Sequence, residues 1–363
     1  MRLVLGNATI LLGEELEPTE GFLVLQDGLI KEVGEGKGPR GWIDLKRGIV
    51  SPTFTNAHVH LGDSIAQDYG AYKRIEERVG AGGLKGRILE EGKARVPAGM
   101  KESMRRMLRC GTGAFGDFRE GGLEGVRLLR RVMDPRREGV VLGRPDGSGV
   151  EELLAECDGI GLRTPRAYPR GGIERIVAAV KGRKKLLAVH AAEVRDDVDE
   201  ALGLRPDFLV HLTNAGRESL EKVARAGVPV VLCPRANAML GVGLPEIPRL
   251  LERTLVALGT DNVMVNSPNM LREAEFAFKL ARGMGRDPTL DGRLILAAAT
   301  INGRKILGLR SNAIEEGNEA SFIVFRRGRY LYDPILAVIH RYDVGDIRCI
   351  VRGDDVIGGS LHV

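Results

Sequence analysis

Eight short apolar runs, most of them separated by amphipathic stretches, restrict the architectures open to this chain. They are Thr53–His60, Thr112–Phe118, Gly139–Gly143, Asp158–Leu162, Leu186–His190, Asp207–His211, Val228–Leu232 and Leu255–Asp261. Between them, Met100–Arg109, Leu123–Val132, Ile173–Val180, Arg217–Ala226 and Ile247–Arg253 carry apolar residues at helical spacing. That alternation is the pattern of βα units. Eight strands with crossover helices predict an α/β chain built on a (β/α)8 TIM barrel over residues 53–311, near the ~250 residues usual for that fold. The flanking segments read differently. Leu3–Leu12, Gly21–Val33 and Ile43–Ile49 at one end, and Ala320–Phe325 and Ile347–Val351 at the other, are β-rich and broken by glycine-rich or charged turns. Residues 1–52 and 312–363 are expected to pair as a small β-sandwich domain.

Composition excludes several classes. With 43% hydrophobic and 28% charged residues, the chain can bury a core and is no disordered tail. No run approaches the roughly 18 apolar residues of a membrane span. The N-terminus lacks a basic start followed by a long apolar block, so a cytoplasmic location is expected. Cys110, Cys157, Cys233 and Cys349 form no CxxC pair, which argues against a disulfide framework or a cysteine zinc site. The net charge is +5, but the basic residues are dispersed and aromatics make up only 4%, too few for a base-stacking platform. A small-molecule substrate is expected, with neither nucleic acid nor membrane as partner. Self-association into a homo-oligomer through exposed barrel helices is left open.

Four of the six histidines, His58, His60, His190 and His211, fall at the C-terminal ends of predicted strands, where barrel active sites sit. In Thr55-Asn-Ala-His58-Val-His60, residues two apart share a face of the strand, so both imidazoles point inward and could chelate one divalent metal. Leu187-Ala-Val-His190-Ala-Ala-Glu193 adds a third imidazole and a carboxylate able to shuttle protons. Taken singly, Glu193 fits the first turn of a helix better than it fits catalysis. His211 ends the sixth run. Asp261 ends the eighth, where it could ligate the metal, act as general base, or cap a helix. Alone each item is weak; together they converge on one mouth.

These segments resemble the amidohydrolase superfamily, most closely its cytosine deaminase and triazine-type aminohydrolase branch, which includes methylthioadenosine and S-adenosylhomocysteine deaminases. The resemblance rests on the lead-in Gly48-Ile-Val-Ser-Pro-Thr-Phe-Thr-Asn-Ala-His58-Val-His60, on Cys110-Gly-Thr-Gly-Ala-Phe-Gly-Asp117 and on Cys233-Pro-Arg-Ala-Asn237. Ala299-Thr-Ile-Asn-Gly303 and the exit Ile314-Glu-Glu-Gly-Asn-Glu-Ala-Ser-Phe-Ile-Val-Phe325 extend it. It implies that His58, His60, His190 and Asp261 are metal ligands for one divalent ion, zinc in the first place and iron the other candidate. It also implies catalytic roles for three residues: Glu193 as proton relay, His211 orienting water or leaving group, and Asp261 accepting a proton. The implied reaction is attack of metal-activated water on an amidine-like ring carbon with loss of ammonia, that is, deamination of a purine, pyrimidine or nucleoside-like substrate. Hydrolysis of a cyclic amide or of a ring C–Cl bond at the same site is the alternative, and a non-catalytic metal-binding barrel a third.

Two-metal members of the superfamily place a modified lysine at the end of strand four. Here that strand reads Asp158-Gly-Ile-Gly-Leu162 and continues into Arg163, which favours one ion. The segment from Asp63 to Arg95 is short, glycine-rich and charged, and is read as a loop that could cover the site, with Glu90 or Glu91 as a candidate ribose contact. Asp117 and Cys233 are read as structural strand-end residues, and His340 and His362 as structural or exposed.

Overall fold

The computed structural model describes residues 2–36, 38–80, 82–134, 138–147 and 149–361. Two sheets organise it. The first joins the two ends of the chain. It holds β1 (Arg2–Leu12), β2 (Glu17–Gln26), β3 (Leu29–Glu35), β4 (Ile43–Pro52), β14 (Ser321–Phe325), β15 (Ile347–Arg352) and β16 (Asp355–Gly359) in the order β16-β15-β14-β4-β1-β2-β3. The seam is antiparallel, with Ile49 opposite Phe325 and Val50 opposite Val324. The seven strands form one hydrogen-bonded sheet, where a sandwich of two was expected. Register shifts in β1, β2 and β15 bend it. Edge strand β3 curls back so that Ile30 bonds Gly317 and Asn318 ahead of β14, at 2.8 and 2.9 Å. Leu5, Ile10, Leu23, Val50, Phe322 and Val324 share the enclosed core.

The second sheet is parallel and runs through β5 (Phe54–His60), β6 (Thr112–Arg119), β7 (Glu138–Gly143), β8 (Gly159–Leu162), β9 (Leu186–Ala191), β10 (Phe208–His211), β11 (Val230–Leu232), β12 (Val256–Leu258) and β13 (Asp261–Asn262). Its order is β12-β11-β10-β9-β8-β7-β6-β5-β13. Only Gly259 and Thr260 separate the strands at its two ends, so the sheet curls until the eighth predicted run meets the first. That run breaks into two strands because the connection must cross β5 closely. A side chain on Gly259 would bring its Cβ within 2.6 Å of the His58 Cβ. Asn56 locks the crossing, accepting from Thr260 N–H at 3.0 Å and donating to its hydroxyl at 2.7 Å.

Apolar side chains alternate along the strands. Val140, Leu142, Ala188, Phe208, Val210, Val231 and Ala257 fill the inside of the curl. Val141, Leu187, Val189, Leu209, Val230, Leu232, Val256 and Leu258 pack outward against helices. The helices Arg217–Ala226 and Ile247–Arg253 have the expected limits, and Val96–Arg109, Gly122–Val132 and Arg170–Gly182 extend the expected ones. Met270–Gly285 and Gly292–Ala299 follow the eighth run. Within the C-terminal segment, read as strands, Pro334–His340 is a helix, started by Asp333 accepting from Leu336 N–H and by proline at its first position. Among the described residues no helix is long and apolar enough to cross a membrane. All four cysteines are free and buried.

Candidate metal-binding active site

His58 and His60 both face the inside of the curl, while Val59 between them packs outward. His190 extends the inward row of β9. His211 follows inward-facing Val210, so regular alternation would turn it away. Its backbone instead adopts φ +81°, with Leu212 at +52°, and this left-handed twist redirects the imidazole to the mouth. Asp261, at φ +58°, and Ala192, at +50°, hold the same conformation beside the site. Left-handed backbone is costly for residues other than glycine and is kept here where side chains from four strands must aim at one point.

The structure brings together all the histidines and the aspartate expected at the site. Imidazole centroids lie 4.9 Å apart for His58–His60 and His58–His190, and 5.2 Å for His190–His211. Asp261 Oδ1 is 3.2 Å from His58 Nε2 and 3.4 Å from His60 Nε2. Two sets, His58–His60–His190 and His58–His211–Asp261, each place one ligand atom per residue within 4.8 Å of the others.

Hydrogen bonds fix the ring faces. The carbonyl of Phe118 accepts from His60 Nδ1 at 2.9 Å and that of Leu162 accepts from His190 Nδ1 at 2.6 Å. A carbonyl can only accept, so both Nδ1 atoms carry protons and both Nε2 atoms keep a lone pair. Burial, reinforced by the Lys85 charge, pushes His60 down to about 3. Burial lowers His58 to about 4 against the pull of Asp261, and holds His190 well below its usual range. These rings stay neutral, the form that binds metal. Burial would raise Asp261, but the His58 hydrogen bond and the surrounding imidazoles outweigh it and hold the carboxylate ionised. The buried donor set, two imidazoles with a free Nε2 lone pair, the neutral His58 and one carboxylate, fits a divalent ion.

Glu193 lies in the loop after β9, five residues before the next helix begins at Val198, so it is not in a helical first turn. Its Oε2 is 3.8 Å from His211 Nε2. The Asn237 amide donates to His211 Nδ1 at 3.2 Å, which leaves the proton on Nε2, facing Glu193. The loop is pinned by Asn214 bonding the Glu193 carbonyl at 2.6 Å and by Ala192 N–H bonding Asp197 at 2.7 Å. Partial burial, with Asp261 nearby, raises the Glu193 carboxyl above its usual range.

A charged network behind His60 escaped the sequence reading. Lys85 contacts Asp63 at 3.0 Å and Glu120 at 2.5 Å, and Glu120 also meets His60 Nδ1 at 2.7 Å and Arg119 at 2.6 Å. Burial alone would raise Glu120; Lys85, His60 and Arg119 instead hold it well below its usual range. Asp63 bonds Asn262 and Met264 N–H, anchoring β13 beside Asp261. The segment read as a loop thus carries a helix, Leu84–Glu91, whose lysine is structural to the site. Glu120, immediately after β6, occupies a strand-end position that could have flagged it. Glu90 and Glu91 are exposed on that helix and do not line the pocket. Asp117 accepts from Leu61 N–H at 2.7 Å, a structural role as expected. Cys233 is fully buried at the start of the helix Pro234–Leu240, with its thiol pushed up by burial. His340 stacks on Phe278 at 6.0 Å, and His362 lies outside the described residues. A cavity of about 400 Å³ opens over the histidines; Val79 and Gly80 of the glycine-rich segment form part of its wall, and Ala81 lies outside the described residues.

Residues 49–344 match the sequence profile of the amidohydrolase family. A protein of Methanothermobacter thermautotrophicus, provisionally named an aminohydrolase, is 37% identical over 97% of this chain and 98% of its own. A 5-methylthioadenosine/S-adenosylhomocysteine deaminase of Syntrophomonas wolfei is 25% identical over 98% and 94%. The structure of an adenosine deaminase from Xanthomonas campestris with bound zinc superimposes with a TM-score of 0.83 at 18% identity, covering 99% of this chain and 94% of that one.

Proposed function

We propose that this chain, which belongs to the amidohydrolase family, is a metal-dependent aminohydrolase that deaminates an N-heterocycle of purine, pyrimidine or nucleoside type. As a member of that family it is a hydrolase acting on carbon–nitrogen bonds. The observation that carries the finer reading is the Glu193–His211 pair, 3.8 Å apart beside the imidazoles and Asp261. In this reading residues 53–311 form a closed eight-stranded barrel that holds the site, while 1–52 and 312–363 form the accessory domain. Four free, buried thiols suit a cytoplasmic location.

His58, His60, His190 and Asp261 are the residues that would hold a single divalent ion, zinc in the first place. Arg163 follows β8 where a bridging lysine would stand, and Lys85 is already engaged by Asp63 and Glu120; both features favour one ion over two. When bound, the ion supplies Lewis acidity that brings deprotonation of water at the site toward neutral pH. The chain's own residues do the rest. The ionised Asp261 accepts a proton from the attacking water. Glu193, with its raised carboxyl, delivers a proton to the ring nitrogen and so makes the adjacent carbon electrophilic. His211 Nε2–H orients the entering oxygen or the departing amine. Asp261 passes its proton to the departing amine and the hydroxyl proton of the adduct returns to Glu193, so that the C–N bond breaks, nitrogen leaves as ammonia, and the ring keeps a carbonyl.

The test is ammonia release from a panel of nucleobases and nucleosides by zinc-loaded protein. Glu193→Gln should lower turnover by about 10²–10⁴-fold while elemental analysis finds the metal retained. Full activity in that variant removes Glu193 from the mechanism.

A further inference from the structure

Several arginines that line the pocket have little or no carboxylate partner of their own. Arg144, just after β7, and Arg163, just after β8, sit at the ends of adjacent strands and line the cavity together with Arg195. Arg144 is only 12% exposed, and its Nε is buried without a partner. Its one carboxylate among the described residues, Glu120, is 3.6 Å away and already serves Lys85, His60 and Arg119. The Arg163 and Arg195 guanidiniums make no ion pair with any described residue. Burial, and then the like charge of Arg144, depress Arg163. Arg166, by contrast, is neutralised by Glu200 at 2.5 Å. Two partly desolvated guanidiniums lining one cavity, with only an already engaged Glu120 acting on both, repel each other until an anion joins them.

We propose that this arginine wall seats a phosphate, so that the substrate is a phosphorylated N-heterocycle, its ring over the histidines and its phosphate between Arg144 and Arg163, with Arg195 closing from the solvent side. A phosphate monoester carries nearly two negative charges and three acceptor oxygens near neutral pH. That matches the partly compensated Arg144, the unpaired Arg163 and Arg195 within reach better than the single charge and two oxygens of a carboxylate. The position of the ring rests on the aminohydrolase reading; the anion seat rests on the arginines alone.

The experiment compares ligands that share a ring: adenosine with adenosine 5′-monophosphate, cytidine with cytidine 5′-monophosphate, and S-adenosylhomocysteine as a carboxylate-bearing adenosine. Affinities are read calorimetrically on zinc-loaded Glu193→Gln protein, and ammonia release on the wild type. For at least one ring the phosphorylated member should bind about tenfold or more tightly than both its nucleoside and the carboxylate-bearing relative. Introducing Arg163→Gln or Arg195→Gln should cut that ratio to about twofold while the thermal midpoint shows the protein folded. Arg195 is exposed, so its variant keeps the test decisive if Arg163→Gln fails to fold. Equal binding within every pair, preference for the carboxylate, or a phosphate preference untouched in both variants overturns the proposal. A phosphate preference in binding with no ammonia from any ligand supports the anion seat and instead overturns the deaminase reading.

Discussion

A backbone angle decides the placement of His211. Strand periodicity puts His58, His60 and His190 on the inner face, and their inward direction is legible from spacing alone. His211 breaks that periodicity, and nothing in Phe208-Leu-Val-His211 announces the left-handed turn that returns it to the site. Its partner Asn237 was legible only as part of a motif; the structure gives the motif a physical role, an amide fixing which His211 nitrogen bears the proton. Asn237→Ala should therefore lower kcat by about tenfold or more with little change in KM, measured by steady-state ammonia release. A second prediction concerns Glu273, fully buried against Arg235 and pushed up by burial to about 7. Its folded value exceeds the ordinary one, so its contribution to stability is fully present below about pH 4.5 and is lost as pH rises through about 7. Urea unfolding at pH 5 and pH 8 should show the wild type losing about 1–3 kcal/mol relative to Glu273→Gln across that window. The comparison is of pH slopes, because the amide also alters the contact with Arg235.

Among the elements, apolar runs were read well where they formed strands and less well where the chain had to bend. Leu255–Asp261 has the composition of one strand; the structure divides it at Gly259 because β12 and β13 lie at opposite ends of the sheet order and the crossing passes against His58. Gly259→Ala should cost about 1–3 kcal/mol, because the clash is with His58 backbone as well as its Cβ, and should also lower retained metal. Urea denaturation and elemental analysis check both. The helix Met270–Gly285 had a readable signal, an Asn269 cap and buried residues at 270, 271, 274, 277, 278 and 281, but it lies past the last expected strand. Lys85 was unreadable for a different reason. An isolated lysine in a glycine-rich segment looks solvated until its acids, Asp63 and Glu120, are brought against it from elsewhere.

For the whole molecule, the alternation of strands and helices and the pairing of the two ends were legible because both follow from local pattern. The single bent sheet at the ends was not, because hydrogen bonding between β3 and residues 317–318 depends on partners nearly 300 positions apart. The proposed ligand set joins residues from 58 to 261, so an ion that holds them should tie the fold together. Chelation is expected to lower stability by about 2–3 kcal/mol at a hundredfold excess of metal over its dissociation constant, with calorimetry showing recovery on adding zinc back.

The β4–β14 seam also sets an order of events during synthesis. When β4 leaves the ribosome, its strand-forming partner at Ser321–Phe325 is still some 270 residues from being made. Until then Ile49 and Val50 present an open, apolar ladder to any other nascent chain. Ser321–Phe325 therefore closes an edge made long before it, and that edge stays open to mispairing throughout the synthesis of the residues between them.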